Sequence, residues 1–425
     1  MPRGALLATA IVVALAGCGG GDGDTAAPTT APTTTTAAVH AEPVLASFSG
    51  YAGSEVFWAD GLTLEPVDGR SVDVPFFYSV AELSPDGTKL ALGGNERSMI
   101  QIVDLEEMRE VRTIDAGLGE WVEHLQWVAP DLLLASFSGL PTEAAAIDPM
   151  SGKVLHAEEL DGVVLGSEPA GGAIAFLLAP ERTIGPAAVA LFDGRSLRSV
   201  KLKEIAAGWE EEGESEEDYR SRQSIPGFAV DPSGQRALVV PAGNRVAEVD
   251  LATMEAGYHD LAQPVSLLGR LRNWLEPAAE AKMIDGPSRA AVWLPSGLVA
   301  VSGVDYSTDG DNVDLDFAGL SLIDPASWSV NRVSDEPGWV TYRDGALLGS
   351  AWKEGSDHQA VHVFGADGAL RFSLEREGAD LSQVSGGYLY ATSYDGTRFE
   401  IIDLASGETV AQAEPRRGTG LVFLG

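Results

Sequence analysis

Asp305, Ser307, Asp309 and Asp316 are spaced like the oxygen ligands of a hard divalent cation. They stand at positions one, three, five and twelve of the run DYSTDGDNVDLD, with Gly310 at six, where a sharp turn is needed. Calcium takes roughly six to eight oxygens, and clustered carboxylates supply them. The run departs from that pattern twice: Val313 stands at position nine, and Asp316 replaces the bidentate glutamate. In so acidic a chain the same residues also read as an ordinary acidic hairpin between the second and third strands of one repeat unit. His358 and His362 have the spacing of a zincin pair, but Gln359, Ala360 and Val361 between them include no glutamate to act as base. On the strand expected there the two rings would stand about 13 Å apart, at roughly 3.3 Å per residue, as solvent-facing histidines. The folded region contains no nucleophile elbow, phosphate loop or dinucleotide fingerprint. The sequence therefore assigns no catalytic residue.

The sole cysteine, Cys18, ends an apolar run from Ala5 to Ala16 that has Arg3 as the only charge before it. The run is too short to span a bilayer and has the flanks of a leader peptide. Leu15, Ala16, Gly17 and Cys18 resemble the lipobox of bacterial lipoproteins, in which a thiolate is alkylated by a diacylglycerol donor. The resemblance implies cleavage before Cys18, acyl chains on it, and a protein held to the cell membrane on the extracytoplasmic side. The competing expectation is an ordinary secretory leader cut nearby. With Cys18 lipidated, disulfides, cysteine metal sites and thiol nucleophiles are excluded.

Residues 1–17 thus read as leader, 18–42 as tether and 43–425 as the folded domain. The tether carries Thr29, Thr30 and Thr33 to Thr36 around Pro28 and Pro32, with almost nothing large and apolar to bury, so it is expected to stay unfolded. The net charge of −35 excludes nucleic acid as a partner, because a polyanion would be repelled rather than release counterions. No later stretch reaches the roughly 20 apolar residues of a spanning helix, and 45% hydrophobic residues suffice for a core. The expected state is a monomer.

What must position any site is a set of repeats. "LSPDGTKLALGG" with "IQIVDLEEMREVRTI", "DLLLASFSG" with "AAIDPMSGKVLHAEEL" and "VDPSGQRALVV" with "VAEVDLATMEAGYHDL" each read as strand, turn, strand, loop, strand, turn, strand. Seven such units run from Val80 to Glu414, each about 35–45 residues long, the period of a four-stranded propeller blade. Proline presets one corner of "SPDG" and "DPSG", and glycine supplies positive φ at the next. A shorter unit spans Val44 to Pro75, and the chain ends in the orphan strand "GLVFLG". Pairing these two closes a ring and hides two edges. The expectation is an all-β propeller of four-stranded antiparallel sheets with eight blades, seven being the alternative. "LSPDGTKLAL" is similar to the repeat of TolB-type and WD40-like bacterial propellers. "DPMSGKV" and "DLASGET" resemble hairpins of quinoprotein and YVTN-type propellers. No Trp-Asp dipeptide ends a strand, so the WD40 hydrogen-bond network is not encoded.

Two insertions interrupt the units. Residues 208–222 place seven carboxylates between Glu210 and Asp218 and read as a mobile solvated loop. Residues 264–283 set Leu268, Leu271, Trp274 and Leu275 on one face of a short helix packed on the propeller. Because propellers host many activities, the fold leaves two functions open. One is a non-enzymatic binding or scaffold propeller; the alternative is an extracellular hydrolase or oxidoreductase with its site in the central channel. No cofactor is implied apart from calcium at the acidic run.

Overall fold

The computed structural model describes residues 43–50, 53–76, 78–94, 97–139, 141–212, 220–262, 284–309, 312–352, 358–377, 379–393, 398–414 and 421–423. Short runs rich in Val, Ile, Leu and Ala, punctuated by Gly, Pro and Asp, fold as eight four-stranded antiparallel blades of a β-propeller. Blade two shows the plan: Tyr78–Leu83, Lys89–Gly94, Met99–Asp104 and Arg109–Asp115 pair in chain order. Blades three to eight repeat it over residues 121–159, 163–212, 227–260, 284–334, 339–377 and 379–413. In blades two to eight the first strand lies innermost, and first strands touch between blades two and three, four and five, five and six, and six and seven. Blade one takes its innermost strand from the chain's end: Leu421–Phe423 pairs with Pro43–Gly50 through Ala46↔Phe423, Ser47↔Val422 and Phe48↔Leu421. The ring is eight-bladed and closed by both ends of the domain, as the repeat pattern predicts.

One aspartate recurs at the end of the third strand. Asp60, Asp104, Asp148, Asp193, Asp250, Asp324 and Asp403 each accept backbone N–H bonds from the turn that follows, with Oδ1 as acceptor. The side chain replaces a missing backbone partner, which is why this turn favours Asp. Arginines on outer strands then tie blades together. Arg70 donates to Glu106 O at 2.7 Å, Arg112 to Met150 O at 2.9 Å and Arg198 to Ala252 O at 2.7 Å. The core lies between blades, where Phe57, Phe137, Phe176, Phe192 and Phe399 are fully buried against alanine, valine and leucine faces. Gly93 permits one close approach, since a Cβ there would meet Val80 and Val122 side-chain carbons at 2.6–2.8 Å.

Blades four and six are joined across blade five. Leu197–Glu212 runs past its blade and turns back as Arg220–Ser224, which pairs in parallel with the start of Ile284–Trp293 through Ser221↔Ile284 and Arg222↔Asp285. This corrects the expectation of a solvated loop for 208–212 and 220–222, while residues 213–219 of that run lie outside the described residues. Glu210 stands opposite Arg222, and its carboxylate lies 3.6 Å from that guanidinium, a cross-strand charge pair that offsets like-charge repulsion in this acidic run. The short helix expected over 264–283 lies outside the described residues, as do Cys18 and the tether. Among the described residues there is no helix, and none long and apolar enough to cross a membrane.

Candidate functional site at the channel mouth

The inner strands Tyr78–Leu83, Trp121–Ala129 and Val163–Pro169 wall the channel in blades two to four, and none contains lysine or arginine. Each carries a bulge near its beginning. The ladder skips Ser79 between Tyr78↔Gly94 and Val80↔Gly93, Glu123 between Val122↔Phe137 and His124↔Ser136, and Leu165 between Val164↔Leu178 and Gly166↔Leu177. An extra residue breaks the in-out alternation and re-aims side chains. Here it brings the consecutive residues Trp121, Val122, Glu123 and His124 to one cavity of about 490 Å³, shared with Val80, Val164 and Leu165. Because inner strands run the same way through the channel, the bulges mark one end of it, its mouth. Trp121 stands at that mouth with 38% of its surface exposed.

Burial dominates the electrostatics. It raises the Glu123 carboxyl even though Ser138 hydrogen-bonds to it, and it pushes His124 down to about 4. His124 is therefore neutral at physiological pH, with one ring nitrogen a donor and the other an acceptor. Deeper in, Glu82, Gln126 and Glu168 share one rung, opposite Ala91, Leu134 and Ala175 on their second strands. Burial, with no cation to oppose it, pushes Glu82 and Glu168 up to about 7. The Gln126 Oε1 atom between them is buried and has no hydrogen-bond partner among the described residues.

A further regularity lies one strand outward. Ser47, Ser136, Ser302 and Thr392 occupy the same rung of the second strand in blades one, three, six and eight, counted from the turn aspartate. The hydroxyls of Ser136, Ser302 and Thr392 are buried without a hydrogen-bond partner among the described residues, whereas that of Ser47 meets the Tyr78 hydroxyl. Ser136 pairs directly with His124, which sets an unsatisfied hydroxyl behind the mouth cavity. Buried polar atoms of this kind need a water or a ligand group to satisfy them.

The sequence-derived candidates lie elsewhere. Val299–Asp309 and Asn312–Phe317 form a hairpin with Asp305↔Asp316, Ser307↔Asp314 and Asp309↔Asn312 in register. Extended backbone spreads Asp305 and Asp309 about 13 Å apart, at roughly 3.3 Å per residue, instead of folding them around a centre. Asp305 bonds the Arg289 guanidinium at 2.7 Å. Among the described residues no group of three or more His, Cys, Asp or Glu side chains is arranged to hold a metal. His362 corrects a second expectation. It is on the strand His358–Phe364, but its ring is 12% exposed, with Nε2 2.8 Å from Glu336 and Nδ1 2.8 Å from Ser373 Oγ, so it pairs across the sheet instead of facing solvent.

No protein-family model and no curated protein sequence matches the chain. Solved structures do match in fold. Dihydro-heme d1 dehydrogenase NirN in complex with DHE superposes with a TM-score of 0.55 at 12% identity, over 89% of this chain and 74% of that one. Apo AztD from Citrobacter koseri gives 0.48 at 11% identity, over 90% and 97%, and BamB from Moraxella catarrhalis gives 0.42 at 12%, over 80% and 92%. At such identities the likeness is one of architecture alone: this chain is an eight-bladed β-propeller.

Proposed function

We propose that this chain is a lipid-anchored extracytoplasmic binding propeller that recognises a basic, hydrogen-bond-donating segment of a partner protein at the channel mouth of blades two to four. The observation that carries the reading is the unopposed acceptor wall: Glu82, Glu123, Gln126 and Glu168 on three adjacent strands without lysine or arginine, beneath the exposed Trp121. A cation entering that wall would gain partners and return the buried carboxyls to their charged form. An aromatic anchor beside desolvated polar groups is also how binding hot spots are built. Cys18 and the threonine-rich tether support the anchoring, because more than one acyl chain holds stably where a single chain does not.

Hydrolase or oxidoreductase chemistry in the channel is the second reading, and Glu82 and Glu168 favour it, since a carboxyl titrating near neutrality suits a general acid or base. Against it, burial alone shifts Glu82, His124 and Glu168, with no hydrogen bond or charge acting between them among the described residues, so nothing orients an acid–base pair. Native electrophoresis of solubilised membranes separates the readings. Trp121→Ala with Glu123→Gln should abolish a higher-mass species formed by the wild-type chain; a species unchanged by the double variant would overturn the mouth as the binding site.

A further inference from the structure

A second concave site lies between blades five and six and takes no part in the function proposed above. There Arg289 is 9% exposed, with Nη1 donating to Ser288 O at 3.0 Å and to Val304 O at 3.3 Å and Nη2 bonded to Asp305 at 2.7 Å. Glycine at 303 makes room for it, since a Cβ there would lie 2.6 Å from Arg289 Cδ and 2.2 Å from Ser288 O. Arg289 and Asp305 form one wall of a cleft of about 370 Å³, which Asp316, Ser321 and Arg332 extend. That volume falls in the usual range for small-molecule sites, roughly 300–1,000 Å³.

The chemistry of the wall narrows the ligand. Register puts Arg289, Asp305, Asp316, Ser321 and Arg332 on one face of blade six, since Arg289 pairs with Gly303, Asp305 with Asp316, and Ser321 with both Val301 and Arg332. Each guanidinium is already paired with a carboxylate, Arg289 with Asp305 and Arg332 with Asp335, so a ligand needs no net negative charge to enter. Forked guanidinium donors and paired carboxylate oxygens suit vicinal hydroxyls, which donate and accept at once. Val301 and Ile323 supply an apolar floor for the C–H face of a ring. We propose that this cleft binds a neutral, hydroxyl-rich ligand of mono- or disaccharide size.

The test is thermal unfolding of the purified mature protein with millimolar maltose, N-acetylglucosamine or glycine, read as a shift in Tm, because a ligand bound only by the folded state stabilises it by mass action. A saccharide should raise Tm in the wild type and in Trp121→Ala, and the rise should vanish in Arg289→Met, in Arg332→Gln and in Ser321→Leu, which fills the cleft. The last two keep the test decisive if Arg289→Met does not fold. No shift with either saccharide, a shift with glycine alone, or a saccharide shift that survives both Arg332→Gln and Ser321→Leu would overturn the proposal. Loss of the saccharide shift in Trp121→Ala would instead place the sugar at the channel mouth and likewise overturn it.

Discussion

Glu82 and Glu168 occupy the same rung of the inner strand in blades two and four, and Gln126 holds that rung in the blade between. Inner strands without a basic residue leave both carboxyls to be governed by burial, which pushes each from 4.5 up to about 7. Between those values the folded chain keeps protons that the unfolded chain has released, so stability falls as pH rises through 4.5–7, and the whole penalty applies above 7. His124 acts in the opposite sense, because its value drops from 6.5 to about 4 and stability rises across that window. Replacing Glu82 and Glu168 together by glutamine removes only the carboxyl part. The double variant should melt with the wild type near pH 5 and higher at pH 8, by on the order of 2–4 °C after discounting for solvent screening at these half-buried positions. Melting curves at the two pH values check this; an equal offset at both would contradict it.

Ring closure has two measurable parts. Tyr390 of blade eight, fully buried, donates its hydroxyl to Gly61 O of blade one at 3.1 Å. Tyr390→Phe leaves that carbonyl without the donor and should cost about 1–2 kcal/mol. Deleting residues 419–425 removes the innermost strand of blade one and exposes an edge, which should cost roughly 3–5 kcal/mol. Equilibrium denaturation measures both, and an unchanged midpoint for the truncated chain would contradict closure by Leu421–Phe423.

The blade repeat was legible because it is written in residues with local mechanisms. "SPDG" and "DPSG" turn where expected, with Gly87 and Gly234 at φ +69°, and the aspartate in "VDLEEM" or "IDLASG" caps its own turn. The channel wall was not legible in the same way. Glu82 and Glu168 each stand two residues before the turn that opens the second strand, but only a shared register makes them one rung, and register across blades is long-range information. The bulges hid Glu123 and His124 further, since an extra residue erases the alternation that identifies a face. At 208–222 the carboxylates outnumbered the arginines, and the signal lay in the spacing that sets Arg220 and Arg222 across from Glu212 and Glu210.

Calcium at the acidic hairpin is a proposal that must reckon with Arg289. A cation at Asp305 competes with the guanidinium bonded there, so calcium should shift Tm little at millimolar concentration, where an extracellular site of about 10⁻⁴–10⁻³ M affinity would be occupied. Arg289→Ala releases Asp305 and should enlarge the calcium-dependent rise, while Asp305→Ala with Asp309→Ala should remove it. Calorimetry with calcium against chelator decides, and a rise that persists in the double aspartate variant would rule out this hairpin as its source.

Anchoring through Cys18 predicts that Cys18→Ser shifts the protein from the membrane pellet to the soluble fraction, because the acyl chains supply nearly all the attachment. Retention of the variant in the pellet after a salt wash would contradict the lipid anchor.

Recognition at the channel mouth is tested most directly by a photo-crosslinking amino acid placed at Trp121 in living cells. Leu155, 52% exposed on an outer strand, serves as the control position. The account predicts a discrete adduct at 121 that is absent at 155 and is lost when Glu123→Gln is added. Equal adducts at both positions, or none at 121 with an abundant one at 155, would contradict it.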